Sequence, residues 1–125
     1  IAAAIEMDRR GVCASVTYII GYPHEQRESM LATIDQCRRL HLACPLARPT
    51  VWPYRPIPGT AMWDEAIGLG YQPPVALEEW GSIREYHLEE TWPGKIPADV
   101  ALERKMYQHF VTLDYGLARG RIGWW

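Results

Sequence analysis

The stretch VCASVTYIIGYPHEQRESM, residues 12–30, decides the fold. Its first part is almost continuously apolar and β-branched, which is typical of a strand buried on both faces of a parallel sheet. Gly21 and Pro23 then end the apolar run, because proline cannot donate a hydrogen bond to a neighbouring strand. From Glu25 onward the apolar residues recur at helical spacing. The stretch therefore predicts a strand over 12–20, a short turn and a helix.

Helices and strands alternate on both sides of this stretch. The segment 1–10 is predicted to be a helix that ends at Gly11, and a second strand is predicted over 50–54. A third helix over 61–70 follows, with Thr60 as its N-cap. The order α-β-α-β-α is typical of right-handed βαβ units in a parallel sheet.

The pattern changes after this third helix. Pro73 and Pro74 interrupt the chain, and a short helix is predicted over 77–87. A long helix begins at Pro97, and its apolar residues recur in steps of three and four: Leu102, Met106, Phe110, Leu113 and Leu117. We therefore divide the chain into an α/β part, 1–72, and a helical extension, 73–125.

Composition excludes several classes of protein. The 125 residues carry a formal net charge of −2 and are 48% hydrophobic, which indicates a soluble globular protein without a polyanion-binding surface. No apolar run approaches the ~18 residues of a membrane span. We therefore expect neither a nucleic-acid partner nor a membrane span.

The number of cysteines indicates the cellular compartment, and the two chain ends indicate whether the sequence is a fragment. Three cysteines are an odd number, without the density of a disulfide framework, which favours a reducing cytoplasm. The chain begins with Ile1 rather than Met and ends on Trp124 and Trp125, and a complete (β/α)₈ barrel needs ~250 residues. We interpret the sequence as a fragment. Six tryptophans against one phenylalanine indicate a surface that faces a ligand, another domain or a membrane boundary.

The candidate site lies where the two predicted strands end, since ligands of parallel α/β sheets bind beyond the carboxyl ends of the strands. At the first end, Gly21 would let the backbone approach a ligand closely. At the second end, Trp52 and Tyr54 offer flat faces for a base or a macrocycle. Two ordinary βα turns with core aromatic residues explain the same pattern on the residues alone.

Longer motifs identify a protein family more specifically than the single residues at the strand ends do. The segment SVTYIIGYPHEQRESMLATIDQCRRL (15–40), followed by VWPYRPIPGTAMWDEAIGLG (51–70) and LEEW (77–80), resembles the radical S-adenosylmethionine enzymes. It is most similar to the cobalamin-binding branch, which includes methyltransferases and the anaerobic ring cyclase of bacteriochlorophyll synthesis. The resemblance covers roughly residues 1–90.

The strand motif of that family reads Gly-x-Ile-x-Gly-x-x-Glu. Ile19 and Gly21 match it, whereas Thr17 replaces the first glycine and His24 stands in the glutamate position, with Glu25 one residue later. The turn 54–60 matches the family's Pro-x-Pro-Gly-Thr. The resemblance implies the C-terminal portion of a partial, TIM-like α/β barrel with parallel strands, followed by a helical extension. It also implies a cofactor pocket lined by Ile19, Gly21, Tyr22, Trp52, Tyr54, Arg55 and Pro56.

The resemblance further implies an activity. Such enzymes reductively cleave S-adenosylmethionine at a 4Fe-4S cluster and use the deoxyadenosyl radical on a small-molecule substrate, for methyl transfer or oxidative cyclisation. The cluster and cobalamin sites are expected outside this chain, in upstream segments of the parent protein. Because the Cys-x-x-x-Cys-x-x-Cys loop is missing, we expect this piece alone to be inactive, and we assign it no catalytic or metal-binding residue.

Two alternatives stay open. Cys37, His41 and Cys44 have the cluster spacing with histidine in the middle place, but they continue a buried helical stripe, which favours packing over metal binding. Arg55 is placed to meet a substrate carboxylate, or it is a surface residue on a proline-rich turn. The alternative function is a non-catalytic interaction or scaffold domain with a Trp-rich helical tail that docks a partner.

Overall fold

The structure, a computed structural model, describes residues 1–82 and 92–121, with side chains described for 1–81 and 92–113. This described part is an α/β arrangement of two parallel strands and five helices, which confirms the predicted class; it shows no barrel. The elements are α1 Ala2–Arg9, β1 Ser15–Ile20, α2 Arg27–Ala43, β2 Arg48–Pro53, α3 Trp63–Gly68, α4 Leu77–Ser82 and α5 Ala98–Arg121. None of the helices described is long and apolar enough to cross a membrane.

The two strands pair in parallel over their whole length. Ser15 lies opposite Arg48, and Ile20 lies opposite Pro53. The backbone N–H of Tyr54 extends the pairing by one residue, since it donates to the carbonyl of Ile20 at 2.6 Å. Because α2 connects β1 to β2, the three elements form the predicted βαβ unit.

β1 is shorter and less buried than the sequence predicts. The apolar run begins at Val12, but the N–H of Val12 donates to the carbonyl of Met7 and so closes the end of α1. Along the strand, Ser15, Thr17 and Ile19 are exposed, and only the last residue is buried. The expectation of burial on both faces is wrong because α2 packs on one face only and the opposite face is largely uncovered.

The main core lies between the covered face of the sheet, α2 and α5. Ile20 and Val51 of the strands contact apolar side chains of α2 and α5 there. The other members of this core are Met30, Ile34, Cys37, Ile96, Val100, Tyr107 and Val111. Each fully buried valine, leucine, isoleucine or methionine side chain contributes roughly 1.5–3 kcal/mol, so this cluster is what holds both helices on the strands.

α5 also closes the outer edge of β2. The N–H of Val51, which points away from β1, donates to the side-chain oxygen of Gln108 at 3.3 Å. The carbonyl of Val51 accepts from Arg104, and the carbonyl of Pro49 accepts from the hydroxyl of Tyr107 at 3.2 Å. Pro49 and Pro53 have no N–H to offer at this edge. β2 is therefore an edge strand whose outward polar groups at Pro49 and Val51 are satisfied by a helix.

The apolar residues spaced along α5 do not form its packed face, although their spacing predicts that they would. The apolar residues that recur along the helix face outward: Leu102 is 59% exposed and Leu113 is 70% exposed, with Met106 and Phe110 between them. The side chain of Leu117 lies outside the described residues. So do residues 83–87 of the predicted helix 77–87, which is described as far as Ser82.

Candidate functional site

Four of the residues predicted for the site meet at the carboxyl ends of the strands. Ile19 is the register partner of Trp52, so their side chains lie on the same face of the sheet. Past the strand ends, the rings of Tyr22 and Tyr54 are in contact, with centroids 5.0 Å apart and planes tilted by 37°. The structure therefore brings Ile19, Tyr22, Trp52 and Tyr54 together at the carboxyl ends of the strands, which is where the βαβ order places them.

The turn after β1 is organised around Glu25. One carboxylate oxygen of Glu25 accepts the N–H groups of Gly21 at 2.6 Å and of Tyr22 at 3.2 Å. The other oxygen accepts from the hydroxyl of Ser29 at 3.0 Å. Successive N–H groups that converge in this way form a small anion site. The acidic group that contacts the strand end is thus Glu25. His24, which stands in the glutamate position of the family motif, is exposed and lies 3.4 Å from Glu65.

Gly21 adopts a backbone conformation that favours glycine, with φ at +86°. A Cβ atom placed there would lie 2.9 Å from Cγ1 of Ile96. Next to Ile96, the ammonium group of Lys95 donates to the carbonyl of Pro23 at 2.6 Å. The close approach predicted at this glycine is therefore made by the chain itself, through the segment 92–97. Sequence reasoning missed this segment.

Tyr54 carries an unusual hydroxyl. The oxygen is buried and has no hydrogen-bond partner among the residues that the structure describes. Trp52, by contrast, satisfies its indole N–H internally by donating to the hydroxyl of Thr50 at 3.1 Å. An unpaired buried hydroxyl costs about 1–3 kcal/mol.

The last two predicted residues lie farther into the molecule. The side chain of Pro56 is fully buried. Burial raises the pKa of the Tyr71 phenol. The charge of the nearby, half-buried Arg55 lowers that pKa by a smaller amount. Tyr71 contacts the rings of Trp63 and Trp92, each with centroids 5.8 Å away. Arg55 therefore borders an aromatic cluster.

Two cavities flank β1. One, of about 500 Å³, lies beyond the carboxyl end of the strand and is lined by Pro23, Leu69, Gly70 and the segment 92–95. The other, of about 310 Å³, lies between α1 and β1 and is lined by residues that include Met7, Cys13 and Tyr18. Beside the first cavity, Lys95 stands 5.6 Å from the ring centre of Trp92, which gives that cavity a positive, aromatic wall.

The cysteines with cluster spacing do not meet. Cys37 lies in the core between α2 and α5, where burial raises the pKa of its thiol to about 12. Cys44 belongs to a second core cluster with Ala4 and Leu40, and His41 packs edge-on against Phe110 at 5.8 Å. Within 1–82 and 92–121, no three His, Cys, Asp or Glu residues are grouped as a metal site would require.

Comparisons of this chain with protein-family models, with curated proteins and with solved structures found no match. The resemblance to radical S-adenosylmethionine enzymes rests on the motifs of this sequence alone.

Proposed function

We propose that this chain is part of a radical S-adenosylmethionine enzyme and that the carboxyl ends of β1 and β2 hold the nucleotide. The observation that carries the proposal is the meeting of Ile19, Trp52 and Tyr54 at one edge, with the hydroxyl of Tyr54 buried and unpaired. An adenosyl group combines a flat apolar ring system with several hydrogen-bonding atoms. The edge offers flat rings for the first, and we expect the Tyr54 side chain to turn outward on binding to make the second.

The surface of the sheet supports this assignment. Ile19 is 41% exposed and lies beside the half-buried ring of Trp52, on the face that α2 and α5 leave open. Since Trp52 satisfies its N–H within its own strand, its ring is available for stacking. Tyr54 continues the alternation of Thr50 and Trp52, because its N–H still bonds to β1.

The finer fold belongs to the same proposal. We take β1 and β2 as the last two strands of a partial α/β barrel, with α2 outside and the open face inside. α5 seals the outer edge of β2, which is what the final strand of an incomplete barrel needs. Residues 1–72 then form the end of the barrel, and 73–125 form the extension.

The iron–sulfur cluster does not fit the residues present. Cys13 is exposed, whereas Cys37 and Cys44 are buried in different core clusters. Upstream segments of the parent protein would hold the cluster, which supplies the electron that cleaves S-adenosylmethionine, and in this branch also cobalamin. The role of this chain is to orient the nucleotide and exclude water while a small-molecule substrate undergoes methyl transfer or cyclisation in the cytoplasm.

The binding claim is tested by titrating the ¹⁵N-labelled chain with S-adenosylmethionine. We expect the amide signals of Ile19, Trp52 and Tyr54 to move together, and Tyr54→Phe to weaken binding about tenfold, as the loss of one hydrogen bond of about 1.4 kcal/mol implies. Tyr18→Phe is the matched control, since Tyr18 lies on the helix-covered face of β1. Unmoved signals at millimolar ligand, or equal effects of both variants, would contradict the proposal.

The enzyme claim is tested separately. We expect the parent reading frame to encode a Cys-x-x-x-Cys-x-x-Cys loop upstream, and the polypeptide that includes it to form 5′-deoxyadenosine after cluster reconstitution. The 125-residue chain, treated identically, should form none. A parent frame without the loop would refute the enzyme assignment, and deoxyadenosine from the short chain would assign the cluster to Cys37, His41 and Cys44.

The second candidate function is a non-catalytic interaction domain, and the outward face of α5 favours it. Leu102, Met106, Phe110 and Leu113 form an exposed apolar stripe of the kind that marks protein contacts. Of the tryptophans predicted to dock a partner, Trp92 is buried and Trp80 stacks on Trp63, while Trp124 and Trp125 lie outside the described residues. Binding of a partner that Met106→Glu abolishes, in a chain that ignores S-adenosylmethionine, would select this function.

A further inference from the structure

A tight turn forms one wall of the cavity of about 500 Å³ beyond the carboxyl end of β1. The backbone N–H of Lys95 donates to the carbonyl of Trp92 at 3.2 Å, which closes the turn. Pro93 and Gly94 occupy its two central positions, and Gly94 has a φ of +78°, as the third residue of a type II turn requires. Ile96 then packs into the main core. The turn is therefore anchored to the fold at its end.

The turn presents a lysine ammonium group that has hydrogen-bond donors to spare. Nζ of Lys95 donates to the carbonyl of Pro23 at 2.6 Å and lies 5.6 Å from the ring centre of Trp92. An ammonium group has three N–H donors. Within 1–81 and 92–113, no carboxylate forms an ion pair with Lys95. Among these residues, the half-buried charge is thus held in place while two of its donors are unused.

The other described residues that line the cavity are uncharged. They contribute proline, leucine and tryptophan side chains and the backbone of two glycines: Pro23, Leu69, Gly70, Trp92, Pro93 and Gly94. A Cβ atom placed at either glycine would have no atom within 4 Å, so the backbone at both borders open space. A volume of about 500 Å³ lies within the range of roughly 300–1,000 Å³ that is typical of small-molecule pockets.

The charge of this lining selects one class of anion. A carboxylate carries one negative charge and accepts hydrogen bonds at two oxygens, which matches one ammonium group with two unused donors. A phosphate monoester carries about −1.5 to −2 at neutral pH, so part of its charge would stay uncompensated in the cavity. The proline, leucine and tryptophan walls suit a flat apolar body. The lining therefore matches a small organic monocarboxylate.

We propose that the cavity between Pro23, the end of α3 and the turn 92–95 binds a small monocarboxylate with a flat apolar body. Its carboxylate accepts hydrogen bonds from the ammonium group of Lys95, and its body lies against the apolar walls. The inference goes beyond the proposed function, because the residues proposed to hold the nucleotide do not line this cavity. A carboxylate site is compatible with an enzyme and with an interaction domain.

The test is an NMR titration of the ¹⁵N-labelled chain with sodium benzoate. We expect millimolar benzoate to move the amide signals of Gly70, Gly94 and Lys95, and we expect benzamide, which has the same shape without the charge, to move none of them. Unmoved signals with benzoate, or equal shifts with benzamide, would overturn the proposal. So would equal shifts with inorganic phosphate, which would indicate a site for any anion, and benzoate shifts confined to Trp52 and Tyr54, which would place benzoate at the strand ends.

Two lysine variants test whether the charge of Lys95 anchors the ligand. Lys95→Gln keeps an N–H donor for the carbonyl of Pro23 but removes the charge, and it should weaken benzoate binding by about tenfold or more, because hydrogen bonds to a charged partner are lost. Lys105→Gln, on the exposed side of α5, is the matched control and should leave binding unchanged. Unshifted signals of Val51 and Gln108 will show that each variant is folded. Equal benzoate binding by the two variants would overturn the proposal.

Discussion

At the scale of single residues, the carboxyl end of β1 shows how a short turn is held without a long loop. Glu25 binds two backbone N–H groups of the turn, and Gly21 adopts a positive φ that other residues avoid. Ile96 fills the space that a side chain at residue 21 would occupy. These three residues position Tyr22, whose ring then meets Tyr54.

Replacing Gly21 by alanine should therefore destabilise the fold. The expected loss in the free energy of unfolding is roughly 1–3 kcal/mol, from the strained φ and from contact with Ile96, and urea denaturation will measure it. Gly59→Ala is the control, because Gly59 has a φ of +81° but open space around it. If both variants lose equal stability, Ile96 imposes no constraint, and a double variant with Ile96→Ala, which removes the contacting Cγ1 atom, should then show no rescue.

The unpaired hydroxyl of Tyr54 leads to a prediction of opposite sign. Tyr54→Phe removes a buried polar group that has no partner in the described structure, so the ligand-free chain should gain about 1 kcal/mol of stability. Thermal and urea unfolding will give the change. A loss of stability would mean that the hydroxyl is hydrogen-bonded in solution and is not left for a ligand.

At the scale of elements, α5 acts as a substitute for a neighbouring strand. Three of its side chains bond to the backbone of β2, and two of them, Arg104 and Gln108, are buried polar residues. Polar side chains at such depth are stable only when they are hydrogen-bonded. The helix thus contributes both apolar packing and the hydrogen bonds that an edge strand lacks.

Gln108→Ala tests this role. It leaves the N–H of Val51 unpaired beneath the helix and should cost about 1–3 kcal/mol of stability. Hydrogen exchange at Val51 should become faster at the same time. His109→Ala, on the exposed neighbour, should change stability by less than about 0.5 kcal/mol. Equal effects of the two substitutions would show that the Gln108 bond does not matter.

The same helix shows where sequence reasoning succeeds and where it fails. The change from β-branched residues to helical spacing at Glu25 located α2 correctly, and the stripe from Met30 to His41 is buried as its spacing indicates. On α5, spacing selected the apolar face, but the face that packs contains Arg104 and Gln108. A single sequence does not show which helix face the unpaired groups of an edge strand require.

The candidate site was predictable to a similar extent. Strand ends can be read from glycine, proline and aromatic residues, and the βαβ order places them together, which located Tyr22 and Tyr54. The contact between Gly21 and Ile96 joins segments 75 positions apart in the chain and depends on packing. The burial of Pro56 is likewise a property of the folded molecule. Neither has a local signal in the sequence.

At the scale of the whole molecule, ion pairs link the βαβ unit to the helical extension. Arg27 at the start of α2 donates to Asp99 at the start of α5, with its Nη2 atom 2.6 Å from Oδ2. Farther along the same two helices, Arg38 pairs with Glu103, also at 2.6 Å. The hydrogen bonds from Arg27 hold the pKa of Asp99 below its ordinary value.

This pairing predicts a pH dependence. Because the pKa of Asp99 is lower in the folded chain than in the unfolded chain, the pair stabilises the fold above the ordinary aspartate pKa. That contribution is lost as the pH falls through the lowered value. Arg27→Gln should return the pKa of Asp99 towards normal, as carboxyl ¹³C NMR titration will show, and should flatten the acid side of the stability profile. Arg38→Gln should leave the Asp99 titration unchanged; a shift as large as that of Arg27→Gln would contradict the assignment.

The two edges of the sheet differ in their free hydrogen-bonding groups, and this difference also limits how copies of this molecule can assemble. A fibril grows because every chain that joins it presents a new strand edge, with unpaired N–H and C=O groups, to the next chain. Here the edge of β2 at Pro49 and Pro53 is blocked by missing donors and by α5, so of the two edges of the described sheet only the one at Thr17 and Ile19 can pair with another strand. Backbone pairing between copies therefore cannot continue through the edge of β2, so this sheet offers no repeating path for fibril growth.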